Sequence, residues 1–566
     1  MFSPTTDAPS KEFMLRKNIM TNRALAPVLP ALAAIVLVAI GVTGPAPLLA
    51  QTNVMQPATV GPSSAAPPLN LLPTLGDGSD ISTSAERRLG DRIAREIYRD
   101  PDYIDDPVLA EYVRGIWLPL LAASRTRGDL SPELDERFAW EIMLGRDRTV
   151  NAFALPGGYF GVHLGLIGIV ASRDELASVL GHELSHVTQR HISRLISKQG
   201  QQTPWLIGAM ILGALAASKN ADAGNALIVG GQAVTAQNQL NFSRDMEREA
   251  DRVGYGVMTQ AGFEAQGFVS MFDKLQQASR LNDNGAYPYL RSHPLTTERI
   301  ADMQSRQALL VPKPVKATLT FEHAMVSARA RVLSNPGVDS LRALLVEASG
   351  PQLVALPAPR QAAALYGAAL AASRLRDFAS AKVSLNRLSG LVRSDASAAR
   401  LVRLLEAEIA LTAGDLAHAA ALVQINPPQK LINAGVPTDA GRPELLLWAQ
   451  IATQAGPAMG GIATERDVGQ RLQLWVAAHP RDAQAWQLLS TAYAAQGQTV
   501  LAIRADAETH VAMLDYPAAL DRLKAAQELM KNDRASKLAV DHIDASIIDT
   551  RHRQVEALLK EQALDR

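Results

Sequence analysis

Cysteine does not occur anywhere in this chain. Its absence excludes disulfides, thiolate metal ligands, a cysteine nucleophile and a lipobox-type lipid anchor. An excess of either charge is missing too, since 56 basic side chains balance 56 acidic ones. With no net field and no basic stripe, nucleic acid is not an expected partner. Beyond the N-terminus no apolar run reaches the roughly 18 residues that a membrane-spanning helix needs, which disfavours an integral-membrane protein. What is present is a chain of 566 residues, 47% hydrophobic and 20% charged. It is long enough for two or three domains with a sizeable core, and it reads as globular rather than disordered.

At the N-terminus Arg16, Lys17 and Arg23 precede an apolar run, ALAAIVLVAIGV, from Ala31 to Val42. That length suits the core of an export signal and is short for a span. Leu48 and Ala50 offer a cleavage point before Gln51, and Met14 or Met20 is a natural start for such a signal. An uncleaved anchor is the alternative, because Ala24 to Ala50 carries no charge; Pro27, Pro30, Pro45 and Pro47 count against a continuous helix. We therefore expect a signal peptide over 1–50 and export, followed by a flexible Pro/Gly/Ser-rich linker over 51–80.

From Ser84 the pattern SAERRLGDRIAREIY has helical spacing. Residues 136–170 change to short β-prone runs broken by Pro156-Gly157-Gly158, which predicts two strands of a small sheet. Ser172 then starts a helix, with Glu175 three residues on as the second half of a capping box. Leu176, Val179, Leu180, Leu184 and Val187 continue it at helical spacing. The 14 residues WLIGAMILGALAAS at 205–218 are too short to span a bilayer. A buried hairpin is the simpler reading for them, with peripheral membrane contact as the alternative. Beyond about residue 320, RDFASAKVSL, GDLAHAAALV and LDYPAALDRL each combine a turn residue, an apolar or aromatic residue and small alanines. That is the pattern of helix-pair repeats of the tetratricopeptide type, interrupted by Pro/Gly-rich stretches within 424–484.

The chemistry is concentrated in GHELSHVTQRHISR. His182 and His186 stand four apart, one turn plus about 40°, and project from nearly the same helix face. That suits two imidazole ligands on one zinc ion, with Glu183 beside them as general base for a water. His191, five residues further on, is expected to point roughly 140° away on the same helix and to be structural. The third ligand is expected in NFSRDMEREADRVGYGVM, where Glu247 and Asp251 share a helix face and Gly254 continues it. A glycine there lets this helix approach the first closely. Glu247 then completes a His-His-Glu site, and Asp251 accepts the free N–H of a ligand histidine. Glu249 points away as a surface charge. The competing reading is an ordinary acidic face paired with Arg244, Arg248 and Arg252.

The pair HELSHVTQRH and EREADRVG, with NAFALPGG at 151–158 and SHPLTTERIADM at 292–303, resembles the HtpX/Ste-type gluzincin zinc metalloproteases. Among them it is most similar to the BepA-type β-barrel assembly-enhancing branch, which carries C-terminal repeats. The resemblance implies one Zn2+ held by His182, His186 and Glu247, with Glu183 catalytic. It implies that Asn151, Ala152, Phe153 and Ala154 form an edge strand that pairs with extended substrate. It also implies that His293 takes the open metal position as a regulatory fourth ligand; from the residues alone, His293 is a loop histidine fixed by Pro294. One departure is Thr296, where relatives often have a second proline.

The fold expected is mainly α: an α+β gluzincin domain over 81–315 with a small β-sheet, then tetratricopeptide-like helical repeats over 320–566. The function implied is a periplasmic zinc endopeptidase in quality control of outer-membrane β-barrel proteins, with association with the outer membrane as a further expectation. Its implied partners are misfolded or assembling outer-membrane proteins and, through the repeats, the β-barrel assembly machinery. The alternative is a largely non-proteolytic repeat scaffold or chaperone.

Overall fold

The computed structural model describes residues 81–198, 243–280, 286–308, 319–334, 337–423, 441–455, 465–535 and 542–564. The expected leader, the linker over 51–80 and the apolar stretch at 205–218 lie outside the described residues.

The first helix, α1 (Thr83–Arg99), starts where the Ser82 hydroxyl accepts the Ala85 N–H. A short strand β1 (Tyr103–Ile104) leads to α2 (Pro107–Arg127), which has the Asp106 carboxylate at its N-cap and Pro107 in its first turn. After α3 (Pro132–Arg137) come β2 (Glu141–Gly145), β3 (Ala152–Leu155) and β4 (Tyr159–His163). The strand order is β1-β2-β4-β3, with β2 parallel to β4 and the other pairs antiparallel. Sequence alone suggests two strands here; the sheet has four, because β1 and β2 are too short and too apolar to alternate visibly. Gly157 takes φ 72° in the β3–β4 turn, and a Cβ there would stand 2.8 Å from the Arg87 backbone.

Both faces of the sheet are covered, so every residue of β4 is buried. Alternate residues divide between two cores. Leu144, Ala152, Phe160 and Val162 join α2 and the helices beyond it, while Met143, Leu155 and Tyr159 pack with Leu89 and Ile93 of α1. A short helix α4 (Leu164–Ile169) then leads into α5 (Arg173–Thr188). The expected capping box is present in relaxed form. The Ser172 hydroxyl accepts the Glu175 N–H at 3.2 Å, and Glu175 Oε2 accepts the Ala171 N–H at 2.6 Å.

Helix α6 (His191–Lys198) follows α5 after a two-residue break. The remaining helices around the site are α7 (Arg244–Gln260), α8 (Gln266–Arg280), α9 (Tyr289–Ser292) and α10 (Thr297–Ala308). Beyond them the described chain is helical throughout, from α11 (Phe321–Leu333) to the last helix, His542–Leu564. No described helix is long and apolar enough to cross a membrane.

These later helices, as far as Ala505, share a hydrophobic core with the sheet rather than hanging from it, and the last helices pack in a small cluster of their own. Helix α11 packs on α4, and the His323 ring is held at both ends. Its Nδ1 lies 2.6 Å from the Tyr112 hydroxyl and its Nε2 2.9 Å from the Val170 carbonyl. Three arginines then pin the start of α2. Arg329 bonds Asp106 and Glu408, Arg400 bonds Glu111 and Glu444, and Arg442 bonds Asp105 and Asp482. In each case one carboxylate comes from residues 105–111 and the other from a helix past residue 395 or, for Asp482, from a helix N-cap. The closest N–O contacts lie between 2.6 and 2.9 Å.

Candidate metal centre

Helix α5 is buried along its second half, so His182, Glu183 and His186 are all 2% exposed or less. Helix α7 crosses it at two glycines. A Cβ on Gly254 would stand 2.9 Å from the backbone of Gly181 and His182, so the helices touch main chain to main chain, as the Gly254 reading expects. That approach delivers Glu247 and Asp251, each 1% exposed. A loop between α9 and α10 supplies His293, 2% exposed, with the Tyr289 ring stacked on it at 4.6 Å.

Four ligand atoms converge. His182 Nε2 lies 3.0 Å from His186 Nε2 and 3.3 Å from His293 Nδ1. Glu247 places its oxygens 3.5 Å from His182 Nε2, 3.5 Å from His186 Nε2 and 3.0 Å from His293 Nδ1. A tetrahedral zinc with bonds of about 2.1 Å requires ligand atoms about 3.4 Å apart. Three imidazole nitrogens and a carboxylate oxygen gathered at close to this spacing make a donor set that fits a metal ion. Among the described residues, His182, His186, Glu247 and His293 form a cluster able to bind one.

The electrostatics agree. Burial disfavours a charged His182 ring, but hydrogen bonds and charge from Asp251 and Glu247 outweigh it and lift the ring to about 10. The carboxylates thus hold a positive charge where a cation belongs. Burial and the charge on His182 push His186 well below its ordinary value. Burial opposes ionisation of Glu247, yet His293 and His182 hold it well below the carboxylate range. Burial pushes Glu183 up, against the pull of His293 and His182.

Each expected site residue has a definite place. Asp251 Oδ1 lies 2.9 Å from His182 Nδ1, the face turned away from the ligand cluster. His293 turns Nδ1 to the cluster and brings Nε2 within 3.5 Å of Glu183 Oε1. Asn151 precedes β3, and Ala152, Phe153 and Ala154 lie in it. This strand is the outer one beside β4 and packs on α5.

His191 and Glu249 depart from expectation. The reasoning that turned His191 away assumed one continuous helix, but α5 stops at Thr188 and Arg190 takes φ 53°. The break swings His191 back, fully buried, to put its Nδ1 2.9 Å from His186 Nδ1. Glu249 is not a free surface charge: it is half-buried, 3.1 Å from His191 Nε2 and 2.8 Å from Arg194. Burial lowers His191 to about 4, against the pull of Glu249.

Arg299 was missed altogether. Its Nε and Nη2 donate to the two Asp251 oxygens at 2.6 and 2.8 Å, and its Nη1 donates to the Pro294 carbonyl at 2.8 Å. The same Nη1 lies 2.7 Å from Glu247 Oε2. The arginines of the competing reading, Arg244, Arg248 and Arg252, are not the ones that meet Glu247 and Asp251. The signal was available: Arg299 stands in SHPLTTERIADM, which had already been singled out for His293.

Comparison with known proteins agrees with this geometry. Residues 131–307 match peptidase family M48. A putative beta-barrel assembly-enhancing protease of Vibrio cholerae is 33% identical over 320 residues, covering 56% of this chain and 63% of that protein. The beta-barrel assembly-enhancing protease of Escherichia coli is 29% identical over 323 residues, 56% of this chain and 62% of its own length. The mitochondrial metalloendopeptidase OMA1 of Saccharomyces cerevisiae is 27% identical over 231 residues, 39% of this chain and 64% of that protein.

Proposed function

We propose, from the match of residues 131–307 to peptidase family M48, a zinc-dependent endopeptidase with His182, His186 and Glu247 as ligands and Glu183 as general base. The observation that carries this is the convergence of two imidazole nitrogens and a buried carboxylate beside a second buried carboxylate. Zinc, when bound, polarises the scissile carbonyl and acidifies the attacking water. Glu183 accepts that water's proton at its carboxylate and passes it to the leaving amine. Burial, which raises its affinity for a proton, suits it to both halves of the transfer. Asn151 to Ala154 would hold the substrate extended, by adding it to the outer edge of β3.

His293 would act as a guard. Its place in the ligand cluster, facing Glu183, supports reading it as a fourth ligand that keeps the site latent. The names of the relatives tie them to β-barrel assembly, and together with the family resemblance this supports outer-membrane β-barrel proteins, misfolded or stalled in assembly, as the substrates we favour. The expected export signal and the same resemblance favour the periplasm as the compartment and the assembly machinery as partner. In this reading residues 81–315 cut and the helices of 320–566 bind. The occupied fourth position also supports a second reading, a repeat scaffold or chaperone whose metal site is mostly silent.

One experiment separates them. Wild type, Glu183→Gln and His293→Ala, each loaded with one zinc, are incubated with an unfolded β-barrel protein, and fragments are followed by mass spectrometry. Glu183→Gln should keep its zinc and lose cleavage, and His293→Ala should cleave faster than wild type. Equal cleavage by wild type and Glu183→Gln would remove the proposed role, and no cleavage by any of the three would favour the scaffold.

A further inference from the structure

The two histidines on α5 are oriented differently, and the difference identifies a positioning chain. His182 Nδ1 meets a carboxylate directly, Asp251 at 2.9 Å. His186 Nδ1 meets another imidazole, His191 Nδ1 at 2.9 Å, whose far nitrogen lies 3.1 Å from Glu249 Oε2. Two Nδ1 atoms at that distance share one hydrogen, so one ring donates and the other accepts.

The direction follows from the cluster. His186 Nε2 faces His182 Nε2 and Glu247, so as a ligand atom it needs its lone pair, and its hydrogen must sit on Nδ1. That N–H donates to His191 Nδ1. His191 then carries its own hydrogen on Nε2 and donates it to Glu249, which is held in place by Arg194 at 2.8 Å. Each proton position follows from the one before it.

We infer that His191 and Glu249 are positioning residues that fix the tautomer and ring orientation of the metal ligand His186. The inference rests on reading His182, His186 and Glu247 as metal ligands. The break at Arg190 is part of the device. Arg190 takes φ 53° and donates through Nη2 to the Ile81 carbonyl at 2.6 Å and to Glu86 at 3.0 Å, so the turn that aims His191 is itself anchored to α1. Orienting partners of this kind, once removed, typically weaken metal binding 10–100-fold.

The test is zinc affinity of the full chain, stripped of metal and titrated against a chromophoric chelator. His191→Phe keeps a buried ring but offers no acceptor; His191→Asn loses ring packing but places its amide oxygen near the position of Nδ1. His191→Phe should bind zinc about 10–100-fold more weakly than wild type, and His191→Asn should recover most of the loss. A role in packing alone predicts the opposite order. Should the Phe variant not fold, Glu249→Leu, a half-buried change at the far end of the chain, should still weaken zinc binding several-fold while Glu249→Gln does not. Wild-type affinity in both His191→Phe and Glu249→Leu, or an Asn variant no better than Phe, overturns the inference. His186→Ala controls the premise: if it binds zinc like wild type, the ligand assignment falls and the positioning chain with it.

Discussion

Replacing Gly254 by alanine adds one methyl group at the crossing of α5 and α7, and its consequences can be worked from the backbone. The new Cβ would stand 2.9 Å from Gly181 C, Gly181 O and His182 N, three main-chain atoms with no rotamer to escape into. Ordinary contact between such atoms is reached only past about 3.4 Å, so the helices must separate by about half an ångström. Overpacking of this kind costs about 1–3 kcal/mol of stability. The larger effect falls on the metal centre, because the crossing lies between the two halves of the ligand set. His182 and His186 ride on one helix and Glu247 on the other, and metal–ligand distances tolerate only about 0.2 Å. Zinc affinity should therefore fall by at least tenfold, more than the modest loss of fold stability alone would suggest. The assay is chelator competition for zinc beside thermal unfolding of the metal-free protein. A Gly254→Ala variant that binds zinc like wild type would refute the argument that main-chain contact sets the Glu247 position.

Two further outcomes follow from burial and charge. Arg329 is 4% exposed and pairs Asp106 with Glu408, so Arg329→Met should lose roughly 3–5 kcal/mol in a urea unfolding titration, by leaving the buried Asp106 and the half-buried Glu408 without a counter-charge; a loss under about 1 kcal/mol would show that water reaches them. The His182 ring, lifted to about 10, keeps its proton in the metal-free fold, which is stabilised below the ring's ordinary value and loses that contribution as pH rises through 10. Zinc must displace this proton, so calorimetry near pH 7.5 in buffers of different ionisation enthalpy should report about one proton released, with affinity rising about tenfold per pH unit. Release of no proton would contradict the carboxylate-held charge.

What could be read from the sequence was what is local. The α5 start at Ser172, the shared face of His182 and His186, and the four-residue step from Glu247 to Asp251 all depend on neighbours within one or two turns. Gly254 was legible because a glycine at that step has few other reasons to be there. His191 was misplaced because the break at Arg190 uses a left-handed residue that is neither glycine nor asparagine, and nothing nearby announces it. Arg299 and the arginine pairs of α2 were hidden for a different reason. Asp105 and Arg442 are partners across most of the chain, and such pairing leaves no periodicity to detect. The sheet was half seen, since its outermost strand is two residues long and owes its existence to β2.

The three arginines at the start of α2 have a consequence for how this protein can be taken apart. A gene cut near residue 320 would produce a peptidase fragment with Asp105, Asp106 and Glu111 stripped of their cations. It would also leave α4 bare where α11 now lies across it. The helices past that point are thus part of the scaffolding of the metal centre's own domain. Their distance from the metal-ligand cluster is therefore set by packed helices and buried ion pairs, as fixed as any distance inside one core.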